Sequence, residues 1–548
     1  MGLKKSLLAA TAVLALALSA CSGAATGDNK SNTKSGEATT GIVLANGTEP
    51  QRPFIPADIN ETGGGRIADL LFAGLYYYDV NGEAKLELAE SVESEDNITW
   101  TVKLKEGKKF ADDTEVKANN FVEAWKLGAK NGMLSSNFFE PIEGASVDGT
   151  GDLTGLEVVD DHTFTIKLKQ AESDFPARLG YSAFYPIADA SLKTIADDPE
   201  NGAATVGNNP VANGPYMFKD QSESAWEHNV QLQLVPNPNY DGDRKAMNGG
   251  INFIFYTNQD SAYTDLQAGN LDVIDQVPES AFETYEDELN GRSVNQLTTV
   301  FQSFTIPMGL KHFSGEEGQL RRQALSHAIN REEITKVAFS GTRTPAKEFS
   351  SPALPGYDAK IKGNDVLTYD PEKAKELWAK ADEISKFEGK FTIAYNSDGG
   401  HQTWVDATAN SIKNTLGIEA EGKPYADFKS LREDVTNRTI EGAFRTGWQA
   451  DYPSIYNFLA PIYMTGAGSN DADYSSPDFD ALMSKAAGTA DQDEAHKILN
   501  QAQEILFKDL PAIPLWYANV NGGWSEAVDN VAFDWHSMPV YYKITKEA

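Results

Sequence analysis

Between Ile98 and Phe110 the chain reads Ile98-Thr99-Trp100-Thr101-Val102-Lys103-Leu104-Lys105-Glu106-Gly107-Lys108-Lys109-Phe110. Apolar side chains alternate with polar ones from Ile98 to Leu104, and a period of two marks a strand buried on one face only. Gly107 then supplies a turn. Outward from here the same alternation returns at Phe164, Ile166 and Leu168, and again at Val230, Leu232 and Leu234. Helical signals lie between and beyond these strands. Asp370-Pro371 puts a capping carboxylate before a first-turn proline and leads into 372–381, and Ser476-Pro477 does the same before 478–487. Leu320, Ala324, Leu325, Ala328 and Ile329 have helical spacing, and Asn330 with Glu333 caps a further helix toward Val337. Gly41-Ile42-Val43-Leu44-Ala45 is a short strand that ends in the turn-prone pair Asn46-Gly47. No tandem repeat is visible. The expectation is a mixed α/β (α+β) protein of several lobes, because 548 residues exceed one ordinary core.

Composition limits the function. The chain carries 47 Lys plus Arg against 80 Asp plus Glu, a formal charge of −33. Such a surface repels nucleic acid, so no nucleic-acid partner is expected. With 26 Phe, 21 Tyr and 9 Trp the chain has rings enough for cores and for a pocket wall.

The one cysteine, Cys21, excludes an internal disulfide. It follows Lys4 and Lys5, the apolar run from Leu7 to Leu18, and the small residues Ser19 and Ala20. That run is too short for an ordinary membrane-spanning helix. Leu18-Ser19-Ala20-Cys21 resembles the bacterial lipobox, in which the cysteine is acylated after the leader is cut. Residues 1–20 then read as a signal peptide. Residues 21–40, small and polar, read as a lipid-anchored flexible tether at the extracytoplasmic face of the cell membrane.

Catalytic and metal motifs are absent from the sequence. His162, His228, His312, His327, His401, His496 and His536 include no pair within one helical turn, and the only thiol is assigned to lipid. There is no nucleophile elbow and no phosphate loop. Gly63-Gly64-Gly65-Arg66-Ile67-Ala68 can be forced onto a dinucleotide fingerprint, but the residues from Pro56 to Thr62 do not read as the strand it requires. We expect neither enzyme nor cofactor.

Several separated segments resemble the peptide, nickel and oligosaccharide-binding proteins of ABC importers, especially the oligopeptide-binding lipoproteins. They are Leu88-Ala89-Glu90-Ser91 with the strand above and Val122-Glu123-Ala124-Trp125, then Asn213-Gly214-Pro215-Tyr216 and Leu266-Gln267-Ala268-Gly269-Asn270-Leu271-Asp272. Leu320 to Glu332, Tyr369 to Ala374, and Gly447-Trp448-Gln449-Ala450-Asp451-Tyr452-Pro453 complete them. The resemblance implies a large three-lobed fold like the type II periplasmic binding proteins, with a hinged cleft. Lobe I would be discontinuous (41–65, 177–305 and 503–548), lobe II would be 66–176, and lobe III 306–502. It also implies an extracytoplasmic, monomeric receptor that delivers short peptides to an ABC permease. The alternatives are a receptor of the same fold for a nickel chelate or an oligosaccharide, or a lipid-anchored hydrolase or chaperone.

By the same resemblance Asp451 would receive a peptide's α-ammonium group. Physically this is sound, since a carboxylate in a dry cleft makes a charge-assisted bond to a cation. Gly447, Trp448 and Gln449 would pair through their backbone with an extended ligand, and Thr48 and Glu49 would form the opposite wall. Trp448 and Phe428 would floor side-chain pockets. Arg445 would meet the carboxylate of some ligands, whereas Arg438 is out of register for the family's upstream arginine. A neutral sugar would leave Asp451 buried without a partner, which disfavours that ligand.

Overall fold

The computed structural model describes residues 38–146, 149–219, 225–256, 258–397, 400–426 and 428–548, with only the backbone of Phe428 and Lys429. Cys21, the leader and most of the tether lie outside the described residues.

The alternating strand Thr99–Leu104 is central in a four-stranded antiparallel sheet with Ala89–Glu93, Thr163–Lys167 and Leu156–Asp160. Trp100 lies opposite Ile166, and Val102 opposite Phe164. These four side chains are buried, so the period-two pattern is the inner face of this sheet. Helix Ala118–Lys130 closes that face with Phe121, Val122 and Trp125. The Trp125 indole is fully buried, and its N–H donates to the Phe184 carbonyl at 3.0 Å, which removes the cost of burying a donor.

A seven-stranded sheet gathers distant pieces of chain. Strand Ile42–Gly47 runs parallel to Gly250–Phe255 and touches Val273–Ile274, while Gln231–Pro236 and Gly523–Trp524 extend the sheet on either side. Asn46-Gly47, expected as a turn, is instead the end of this strand, with partners Ile254 and Phe255. Asn46 is held there by an exchange with Asp275, whose carboxylate accepts from Asn46 Nδ2 (2.5 Å) and whose backbone N–H donates to Asn46 Oδ1 (2.9 Å). Local turn propensity yields to that long-range pair.

The third sheet has six strands in the order Arg343–Pro345, Ala512–Val520, Gln296–Thr305, Ala443–Gln449, Phe391–Asn396, Ala420–Tyr425. Gln296–Thr305 and Ala512–Val520, assigned by the sequence reading to lobe I, pair with each other in this sheet. Helices Gly315–His327, Pro371–Ile384 and Gln402–Leu416 pack on one side of it. Arg331 is enclosed beneath them and faces no carboxylate among the described residues. Instead it donates to the carbonyls of Pro514 (2.8 Å), Ser326 (3.0 Å) and Leu367 (2.7 Å) and to Ser326 Oγ (2.9 Å).

Candidate functional site

Strand Ala443–Gln449 is laddered on one side from Phe444 to Gln449, which face Thr305 to Val300. On the other side, among the described residues, only Ala443 and Phe444 meet a ladder neighbour, Ile393 and Ala394 of Phe391–Asn396. From Arg445 onward that edge is unladdered. Gly447 is exposed, and a Cβ there would come within 2.9 Å of the Phe301 carbonyl oxygen, so the close approach of these two strands requires glycine.

Two cavities adjoin this edge. One is lined by Phe444 to Trp448 together with Phe301, Arg432 and Asp471, and has a volume of about 220 Å³. The other, about 260 Å³, is lined by Gln449 to Asp451. One unbroken stretch of backbone therefore runs along both. The structure brings Asp451 and Gln449 to one cavity, and Gly447, Trp448 and Arg445 to the next.

Asp451 is fixed by the helix that follows it. Ser454 caps helix Ile455–Tyr463 through a bond from the Tyr456 N–H, and this places Asn457 in the first turn. Asn457 donates from Nδ2 to the Asp451 carboxylate at 2.9 Å, and its Oδ1 accepts both the Asp451 backbone N–H (2.9 Å) and the Trp448 indole N–H (3.1 Å). Among the described residues no lysine or arginine forms an ion pair with Asp451. Arg178, the cation that influences it, is tied to Glu172 at 2.7 Å and sits over the Tyr452 ring. Burial pushes the Asp451 carboxyl up to about 6, against the Asn457 hydrogen bond and the Arg178 charge, which pull it down.

The facing wall of that cavity comes from elsewhere: Tyr77, Tyr78, Tyr181 and Tyr185, the Trp535-His536 pair, and Arg66 and Tyr541. None of these was anticipated. They occur singly or in short runs without period, and only the long-range topology brings them together. Thr48 and Glu49 line neither cavity. Thr48 packs beside Gly63, and the Glu49 carboxylate accepts from the Asn229 N–H (3.0 Å) and pairs with His228 Nδ1 (2.8 Å). Arg445 donates to Asn396 Oδ1 at 2.8 Å. Arg438 pairs with Asp473, and Arg432 with Asp471. Phe428 begins helix Phe428–Thr436, and its side chain lies outside the described residues.

Residues 83–470 match the family described as bacterial extracellular solute-binding proteins, family 5 Middle. The chain belongs to this family. Its relatives include the oligopeptide-binding protein OppA of Bacillus subtilis, 24% identical over 92% of each chain. The periplasmic oligopeptide-binding protein OppA of Salmonella typhimurium is 27% identical over 94% of this chain and 93% of its own. The fold is also that of solved structures. The unliganded open form of the periplasmic murein tripeptide-binding protein MppA superposes with a TM-score of 0.75, at 21% identity over 93% of this chain and 99% of that one. The Haemophilus influenzae OppA complex with the peptide RPPGFSPFR gives 0.73, at 21% identity and the same coverage. The large mixed α/β fold expected from the sequence is thus the fold of the type II-like periplasmic binding proteins. Relatives of this family solute-binding protein are themselves solute-binding proteins. No helix among the described residues is long and apolar enough to cross a membrane.

Proposed function

We propose that this family 5 solute-binding protein captures short peptides and delivers them to an ABC permease. One observation carries the reading: a carboxylate without a counter-ion, Asp451, stands in a cavity at the end of an unladdered strand edge. The edge offers backbone pairing to any extended chain, and the carboxylate offers a partner to its terminal ammonium group. Gly447, Trp448 and Gln449 supply the edge. Trp448 and Arg445 border the second cavity, where they would meet a ligand's side chain or its far end. The names of the relatives, for oligopeptides, dipeptides and murein peptide, support the peptide class. A neutral oligosaccharide would leave Asp451 unpaired.

The protein would work as three lobes with a hinged cleft, as a monomer and without catalysis. The division in the sheets favours assigning 296–305 and 512–520 to the lobe of the six-stranded sheet. The lipid anchor at Cys21 rests on the sequence alone, and Cys21→Ser should release folded protein from the membrane fraction.

The deciding experiment is calorimetric titration of wild type and Asp451→Ala with a short peptide, free and N-acetylated. Breaking a buried charge pair costs on the order of 3 kcal/mol, about a hundredfold in affinity. Substitution and acetylation should each cause that loss and together cause no more. Equal binding of free and acetylated peptide by the wild type would end the assignment.

A further inference from the structure

Asp451 lies on a short strap that is shared between two cores. Ala450, Ile455 and Tyr456 are buried in the core where Phe301 and Tyr517 of the six-stranded sheet meet helix Ile455–Tyr463. Tyr452 turns the other way. Its side chain is only 4% exposed, and it is buried with Phe175 in the core beneath the four-stranded sheet. The Arg178 guanidinium lies over both rings, 5.3 Å from the centre of Tyr452 and 5.8 Å from that of Phe175. Glu172 fixes that guanidinium at 2.7 Å and so gives the Tyr452 ring a rigid cationic seat.

The neighbours of Tyr452 make the same crossing. Ser454 Oγ donates to the Asp174 carboxylate at 3.1 Å. Pro453 packs against Gly82, in the hairpin of Tyr76–Tyr78 and Ala84–Leu86, where a Cβ would come within 3.3 Å of it. From the facing side, the Ser173 N–H donates to the Ala487 carbonyl at the end of helix Pro477–Ala487. Phe175 and Leu179 root the segment from Glu172 to Arg178 in the four-stranded-sheet core, whereas Ala487 is buried in the same core as Ala450 and Ile455. Ser173 Oγ is enclosed in this seam without a partner among the described residues, a cost that works against permanent fusion of the two bodies.

Resting on the hinged cleft of the peptide reading, we infer that Tyr452 and Ser454 form, with Arg178 and Asp174, a clasp between these two bodies that holds the cleft shut over a ligand at Asp451. Charge capture and closure then belong to four consecutive residues of one strap. The strength of the clasp sets the fraction of the protein that is shut, and through it the affinity for every ligand, whatever its termini.

The test titrates the full chain with tri-, tetra- and penta-alanine, each free or N-acetylated, and measures the radius of gyration of the ligand-free protein by small-angle X-ray scattering. For the best-bound length, Tyr452→Ala should weaken free and acetylated peptide by the same factor, on the order of tenfold or more, and should enlarge the radius. Tyr452→Leu, which keeps part of the plug, should do both by less. A residue that merely positions Asp451 would weaken the free peptide and leave the acetylated one untouched. Ser454→Asp keeps a capping side chain for helix Ile455–Tyr463 but sets a second carboxylate against Asp174, while Arg178 is already held by Glu172. It should open the cleft and weaken both peptides, and adding Asp174→Asn, which removes the repulsion, should restore them. The inference falls if Tyr452→Ala changes neither affinity nor radius, or if its loss is confined to the free peptide. It also falls if Asp174→Asn does not restore Ser454→Asp. Should Tyr452→Ala fail to fold, the second pair decides: a loss that Asp174→Asn restores upholds the clasp, and any other result overturns it. If the wild type binds none of these peptides, the peptide reading falls while the scattering arm still judges the clasp; if it binds them and the variants match it in affinity and radius, only the clasp falls.

Discussion

Asn457 holds Asp451 from two sides, donating to its carboxylate and accepting its backbone N–H, each at 2.9 Å. The same Oδ1 also takes the Trp448 indole N–H at 3.1 Å. One amide therefore fixes the charge at the end of the strand and the ring beside its open edge.

Removing that amide should loosen both groups while leaving the fold intact. Asn457→Ala is expected to lower stability by about 1–3 kcal/mol, because the indole N–H and a backbone N–H lose their acceptor. Peptide affinity should fall by about tenfold. A merely structural role would not move the Asp451 titration, whereas loss of the Nδ2 donor should raise its pKa further. Carboxyl-carbon NMR of Asp451 in the ligand-free protein reads this directly, and an unchanged titration would count against the positioning role.

Ligand capture should be coupled to protons. Burial holds the Asp451 carboxyl up at about 6 in the absence of ligand, and a bound ammonium group must lower that value. At about pH 5.5 binding should release a large part of one proton, and near pH 7 almost none. Near pH 8 it should take up part of one, because a free peptide's amino group is then partly neutral. Affinity should weaken as pH falls below about 6. Calorimetry in two buffers of different ionisation enthalpy measures the proton count, and Asp451→Asn should abolish it. Buffer-independent heats at pH 5.5 would exclude the coupling.

Glu348 offers a stability test remote from the cleft. It is enclosed with no cation paired to it among the described residues, accepts from Ser350 Oγ and from Gln503 Nε2 at 2.9 Å, and burial raises its pKa to about 7. A raised carboxyl contributes stability that is complete below the unfolded pKa and lost as pH rises through about 7. Glu348→Gln should therefore be more stable than wild type at pH 8, by up to about 3 kcal/mol, and gain nothing at pH 4. Urea unfolding at both values checks the sign. An advantage that does not grow with pH would contradict it.

Arg331 offers the opposite case, a buried cation solvated only by carbonyls and a hydroxyl. Burial lowers its pKa to about 9. Arg331→Lys keeps the charge but cannot span four acceptors, and should cost about 3 kcal/mol or more. Thermal unfolding near neutral pH within a degree of wild type would show that the carbonyl cage is dispensable.

Much of the scaffold was legible in local chemistry. Asp370 accepts from the Lys373 N–H, Asn330 from Glu333 and Ser476 from Phe479, as the cap signals required. Thr99–Leu104 buries the face its alternation predicts. Pro56–Asp58 is a short 3-10 turn rather than a strand, so the glycine run after it has no dinucleotide context. Legibility fails where contacts are remote. Nothing beside Glu49 in the chain announces His228, and nothing beside Asn46 announces Asp275. The rings of the cavity wall stand at 77, 78, 181, 185, 535, 536, 541 and 542 and share no period that a sequence window could detect. Asp451 was found through its motif, but that it lacks a counter-ion is a property of the folded neighbourhood.

The unladdered side of Ala443–Gln449 has a further consequence. An unpaired strand edge does not discriminate between a nutrient and an unfolded neighbour, since both present the same extended backbone. A protein built to accept arbitrary chains in this way carries its own adhesive, and the groove walls around Gly447 become its safeguard by admitting something narrow and loose while keeping out the rim of another folded sheet. Occupancy would then act as a stopper. At high concentration the empty receptor, rather than the loaded one, should be the form that self-associates.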